Sequence, residues 1–335
     1  MRTPTVSICI PSYNHGRFIK ECIESVLGQT YADFELIICD DYSSDNSVEV
    51  IKSFTDSRIR FYQNGKNIGV VGNINKTQSL CIGKYITSIG SDDAMMPDNL
   101  KRKVKFLDTH PNVGFVHSEI IKIDEYGNVI GGHWAKHPDR DVVADRGEYL
   151  NRFVLEQNIV CAPSVLVRQE CYERLGLYDE RLIQTQDYEM WIRMLYQYDI
   201  GYIAEPLLKY RWHQNNLSRE PENEERKKYY REQGFLTFRI ALQNYFQYDG
   251  KNKLPRKYIQ DTFFQLGKNY FYWNNFEKSR IIYADLIKYK LINMRILVNY
   301  LSTFLPLPVI KFVRFIKASF RKIIKNIYYP ELSKG

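Results

Sequence analysis

A chain of 335 residues, 44% hydrophobic and 26% charged, can bury a sizeable core, which argues against a disordered polymer. Its net charge of +8 is uneven: from Leu301 onward seven Lys or Arg face one acid, so this segment carries +6 and everything before it +2. The six Cys form no CxxC pair, which argues against zinc and thioredoxin-like chemistry and fits a reducing cytosol. No apolar run approaches about twenty residues and no signal-peptide pattern opens the chain, so neither a membrane span nor a leader is expected.

In chain order, residues 6–10 read as a buried strand and 18–27 as a helix, with Phe18, Ile19, Cys22, Ile23, Val26 and Leu27 on one face. Strands at 36–39, 59–62 and 85–89 alternate with helices at 48–54, 73–81 and 100–107. That alternation predicts an α/β fold around a mostly parallel, Rossmann-like sheet with right-handed crossovers. Residues 113–123 precede a hairpin signal at 124–128, and 131–150 read as irregular. A strand is expected at 160–167, a short helix at 169–175 and a longer one at 188–198. Beyond Glu220 strand signals fade, giving a helical region from 221 to 335 after a domain covering 1–220. Residues 309–327 form a basic amphipathic stretch, with Val313, Ile316, Phe320, Ile323, Ile324 and Ile327 on one side. Such a stretch suits a peripheral membrane surface, packing on the domain being the other reading. No nucleic-acid recognition motif accompanies it.

Ligands of open parallel sheets bind at the carboxyl ends of the strands. Three strands here end in polar clusters: PSYN at 11–14, DDYSSD at 40–45 and GSDD at 90–93. Two of these hold paired carboxylates, the oxygen-rich chemistry that a hard divalent cation with a diphosphate requires. With QTQDYEMWIRM at 184–194 they make four motifs in order.

This set resembles the inverting family 2 glycosyltransferases of the GT-A fold, over residues 6 to 218. The resemblance implies transfer of a sugar from a nucleotide-sugar, a UDP-sugar first, to an acceptor hydroxyl in bacterial surface polysaccharide synthesis. It implies a divalent metal, Mn²⁺ or Mg²⁺, a glycan or lipid-linked oligosaccharide acceptor, and a place at the cytoplasmic face of the membrane. Pro11 and Tyr13 would line the base pocket and Asp41 would accept from the base, while Asp40 orients its loop. Asp93 would bind the metal and Asp92 the ribose or diphosphate. Relatives carry an acid where this chain has Gly90. His213, in a closing loop at 210–218, would reach the metal, and Asp187 would deprotonate the acceptor. Glu189 is the rival base. The alternative is a catalytically silent nucleotide-sugar-binding or membrane-docking module, which would need Tyr13, Asp41 and Asp93 but no base.

Overall fold

The computed structural model describes residues 3–156, 158–219, 224–247, 253–306 and 308–310. The chain divides into two compact units, one ending at Pro255 and one beginning at Arg256.

Among the described residues of the first unit, ten strands form one sheet. They are β1 (Val6–Ser12), β2 (Phe34–Asp40), β3 (Ile59–Gln63), β4 (Tyr85–Ser88), β5 (Ala94–Met95), β6 (Val113–Ile123), β7 (Val129–Gly132), β8 (Val142–Ala144), β9 (Leu166–Arg168) and β10 (Asp199–Arg211). Every residue of β2 and all but Pro11 of β1 are buried, so both faces are covered, as the unbroken apolar runs predict. The helices are α1 (Ile19–Leu27), α2 (Ser47–Lys52), α3 (Val70–Ser79), α4 (Asn99–Thr109), α5 (Arg146–Glu156), α6 (Gln169–Leu175), α7 (Gln186–Leu195) and α8 (Glu224–Gln247). In α1 the buried residues Ile19, Cys22, Ile23 and Val26 follow helical spacing and dock on the core through one stripe.

The strand order is β3-β2-β1-β4-β9-β6-β10-β5, with β7 on β6 and β8 on β10. The pairs β3–β2, β2–β1, β1–β4 and β6–β10 are parallel, and β9 runs antiparallel to both β4 and β6. It follows that β1, β2, β4, β6 and β10 all point the same way. Their carboxyl ends, at Ser12, Asp40, Ser88, Ile123 and Arg211, therefore share one edge of the sheet, and the site lies along it.

Three elements differ from the sequence reading. The strand expected at 160–167 is interrupted by a 3₁₀ turn at Ala162–Ser164, where Pro163 has no N–H to give a ladder, and only β9 remains. The stretch read as irregular holds β8 and the start of α5. The third, β10, goes unread because Ala204-Glu205-Pro206 breaks its apolar pattern; its register against β6 shifts around Pro206.

Helix α8 belongs to the first unit, although the change of composition at Glu220 assigns it to the appendage. Its Phe238 meets Tyr188 of α7 edge-on at 5.8 Å, and its Tyr245 meets Tyr196 at 5.1 Å. The second unit is helical, as expected: α9 (Arg256–Tyr272), α10 (Phe276–Lys288) and α11 (Met294–Ser302). Ile259, Phe263, Ile282, Leu286 and Ile296 are buried in it, and Asn275 and Asn293 cap α10 and α11 with their side-chain oxygens. The amphipathic stretch at 309–327 lies, from residue 311, outside the described residues.

Candidate functional site

At the ends of β1 and β2 two loops interlock. The Asp41 N–H donates to Ser12 O at 2.8 Å, the Asn14 N–H to Ser43 Oγ at 2.8 Å, and the Ser44 N–H to Asn14 Oδ1 at 2.8 Å. Asn14 and Tyr42 both adopt positive φ, 51° and 66°, which fixes the turn directions. Asp40 is fully buried and accepts from the Ser43 N–H at 2.9 Å, so it orients its loop as expected. Asp41 is also buried: Oδ1 accepts from Asn64 Nδ2 at 2.8 Å and the Ile68 N–H at 2.9 Å, and Oδ2 from the Gly69 N–H at 2.9 Å. It thereby staples the 67–69 turn, where Gly69 supplies a φ of 82°. Three of about four acceptor positions are filled, leaving one on Oδ2 for a ligand. Tyr13, beside them, is 47% exposed and presents an open ring.

The second cluster follows β4. Asp92 Oδ2 lies 2.9 Å from His213 Nε2 and 3.3 Å from Asn216 Nδ2, and Oδ1 is 4.0 Å from His15 Nδ1. The Asn215 N–H donates to His213 Nδ1 at 3.2 Å, which leaves Nε2 as the ring nitrogen that faces Asp92. His213 stacks on Phe18 at 5.1 Å and meets His15 edge-on at 5.7 Å. Burial raises the Asp92 pKa, but the His213 hydrogen bond and the two imidazoles outweigh it, and the carboxyl titrates below its usual range. Burial lowers His15, against the pull of Asp92, which favours a neutral ring with a lone pair.

Ligand atoms of His15, Asp92 and His213 lie within 4.8 Å of one another. One carboxylate and two imidazoles suit a divalent first-row cation such as Mn²⁺. Asp93 is not in this group: its Oδ1 accepts the Arg211 N–H at 2.8 Å, which turns it toward β10. The expectation that gave the metal to Asp93 and the ribose or diphosphate to Asp92 thus meets a geometry that gathers the imidazoles around Asp92. Burial and the Asp92 charge push the Asp93 carboxyl well above its usual range. Both carboxylates pack close over Gly90: a Cβ there would lie 2.6 Å from Asp92 Oδ1 and 2.8 Å from Asp93 Oδ2. Sequence reasoning missed His15; its only signal was its place directly after the first strand-end cluster.

Arg211, 2% exposed, ties these pieces together. It donates to Asp92 O at 2.7 Å and Asp124 O at 3.2 Å, pairs with Glu21, and lies 5.2 Å over Phe18. Next to it Tyr210 is pushed up by burial and by the Asp93 charge.

Asp187 stands at the second position of α7, whose cap residue is Thr185, so it does not cap the helix. Its Oδ2 accepts from Asn158 Nδ2 at 2.9 Å, and burial raises its pKa from 3.8 to about 6. Glu189 is fully buried and paired with Arg193 at 2.8 Å and Asn244 at 2.7 Å, which leaves it no path to a substrate. The fields of Asp93 and Asp187 both reach the Cys161 thiol, itself raised first by burial, so the two carboxyls flank one region.

The interlocked strand-end loops, the carboxylate–imidazole cluster and the half-buried Asp187 all belong to the first unit. The family described as Glycosyl transferase family 2 matches residues 7–165. An uncharacterized glycosyltransferase of Methanocaldococcus jannaschii is 31% identical over 220 residues, covering 63% of this chain and 72% of that protein. The UDP-Glc:alpha-D-GlcNAc-diphosphoundecaprenol beta-1,3-glucosyltransferase WfgD of Escherichia coli is 30% identical over 218 residues, 64% of this chain and 79% of its own. S. aureus TarS 1-349 in complex with UDP-GlcNAc superposes with a TM-score of 0.63 at 16% identity, covering 87% of this chain and 82% of that one. The mannosyltransferase PcManGT of Pyrobaculum calidifontis, in complex with GDP-Man and Mn²⁺, gives 0.53 at 16% identity, covering 98% and 88%. The chain belongs to glycosyltransferase family 2. It is a transferase enzyme, and its fold is GT-A.

Proposed function

We propose that this enzyme moves one sugar from a nucleotide-sugar, UDP-linked first, to an acceptor hydroxyl with inversion, in surface polysaccharide assembly. The observation that carries the proposal is Asp187: a carboxyl raised to about 6 and oriented by Asn158 is ionised at neutral pH, yet more basic than an ordinary aspartate. In-line attack needs only one such base. Pro11, Tyr13 and Asp41 would hold the nucleotide, Tyr13 by stacking and Asp41 through its remaining acceptor position. Asp92, His15 and His213 would hold a divalent cation, with Asp93 beside them. When bound, that cation supplies Lewis-acid stabilisation of the departing diphosphate. A UDP-sugar and a lipid-linked acceptor are supported by the name of WfgD, and a divalent metal by the Mn²⁺ complex of PcManGT. We further place the enzyme at the cytoplasmic face of the membrane, peripherally attached through 309–327, on the strength of the +6 carried beyond Leu301.

The test is a thermal-shift screen of UDP, GDP, ADP, CDP and dTDP, with and without Mn²⁺. One nucleotide is expected to raise Tm, more with the metal, and His15→Ala or His213→Ala should remove the metal-dependent part alone. Failure of every nucleotide to shift a folded protein would refute the donor site.

A further inference from the structure

A cavity of about 500 Å³ is lined by His133, Trp134, Ala135, Lys136 and His137. Its loop is anchored throughout. His133 Nδ1 lies 2.8 Å from Glu119 Oε2, Arg152 Nη2 donates to Lys136 O at 2.9 Å, and His137 Nε2 lies 2.9 Å from Ile159 O. The half-buried Trp134 joins both sides of the site. Its ring meets Tyr210, the neighbour of Arg211 and Asp93, edge-on at 5.3 Å. Its Nε1–H donates at 3.2 Å to the carbonyl of Asn158, the residue whose side chain holds Asp187. With its N–H engaged by protein, its ring packed in part on the core and Lys122 Nζ 5.8 Å over one face, the indole has the remaining face to offer a ligand. An aromatic face is the surface on which the C–H side of a pyranose packs, and Asn158 alone links this one to Asp187.

We propose that this cavity is the acceptor-sugar subsite, with the Trp134 indole as the platform for the acceptor ring, and that Asn158 is a positioning residue for Asp187. The proposal rests on the transferase reading above. Stacking sets the distance of the acceptor ring from β10, and the Trp134–Asn158–Asp187 chain fixes the carboxylate relative to that ring. Platform and base thus move as one piece.

The experiment uses the full chain, its best donor, and the phenyl pyranoside it turns over fastest from a panel. Trp134→Ala should raise the acceptor KM at least tenfold and leave donor Kd unchanged. Trp134→Phe, which keeps an aromatic face but no N–H, should bind acceptor better than Trp134→Leu. Asn158→Ala removes a donor that favours the Asp187 carboxylate, so the acid limb of the kcat profile should move to higher pH with donor Kd unchanged. Equal acceptor KM for the Phe and Leu variants, or an unmoved acid limb in Asn158→Ala, overturns the corresponding half. Should Trp134→Ala fail to fold, the Phe–Leu comparison alone decides. If the wild type turns over no panel member, both the transferase reading and the subsite fall. If it does and Asp187→Asn does not, the transferase reading stands whatever Trp134 shows.

Discussion

Asp187 carries two opposite demands, chemistry and stability. Transfer needs its ionised form, so kcat should rise with pH through about 6 and level off above it. Stability runs the other way. The folded pKa of about 6 lies above the ordinary 3.8, so the fold favours the protonated acid; that contribution is complete below 3.8 and lost as pH rises through 6. At pH 7.5 Asp187→Asn should therefore abolish most transfer, keep donor affinity and gain about 1–3 kcal/mol of stability, raising Tm by a few degrees. Calorimetry beside a donor titration checks both; a lower Tm or lost donor binding would contradict the assigned role.

Among the elements, the α7–α8 contact turns on Glu189, whose carboxylate is fully buried between Arg193 and Asn244. Asn244→Ala strips one partner from a buried charge, which should cost about 1–3 kcal/mol in urea unfolding while kcat changes little. An unchanged midpoint would mean the two helices are held by their aromatic contacts alone. The strands β1, β2 and β4 and the helix α1 were legible because each is a local pattern: an apolar run or a 3.6-residue stripe. The strand-end acids were legible for the same reason, as clusters next to such runs. β10 was not, since its pattern is broken by Pro206 and its place is set by pairing with β6, 85 positions away in sequence by the register Ile200 to Phe115. His15 was illegible in a similar way: nothing in PSYNH says that its ring meets His213, a contact that only the closed sheet edge creates. The turning of Asp93 toward β10 likewise depends on the Arg211 N–H, which no local motif announces.

At the scale of the molecule, no helix among the described residues is long and apolar enough to cross a membrane. The attachment proposed above for the basic stretch is electrostatic and interfacial. Removing residues 309–335 should reduce binding to phosphatidylglycerol vesicles and its salt sensitivity, with transfer to a soluble acceptor kept within about twofold. Vesicle sedimentation checks this, and undiminished binding would sink the membrane reading. Arg211 bears on the history of the chain as it is made. It meets Glu21, 190 residues upstream, and the Asp92 carbonyl, 119 upstream, and it ends the last strand of the sheet to be synthesised. The strands β1 to β4 can pair while β10 is still within the ribosome. Until Arg211 emerges, however, the acid pair lacks its backbone clamp and His213 is not yet there to face it. A nascent chain stalled before β10 would thus hold much of its sheet and yet be blind to its donor, so the enzyme acquires competence only near the end of its translation.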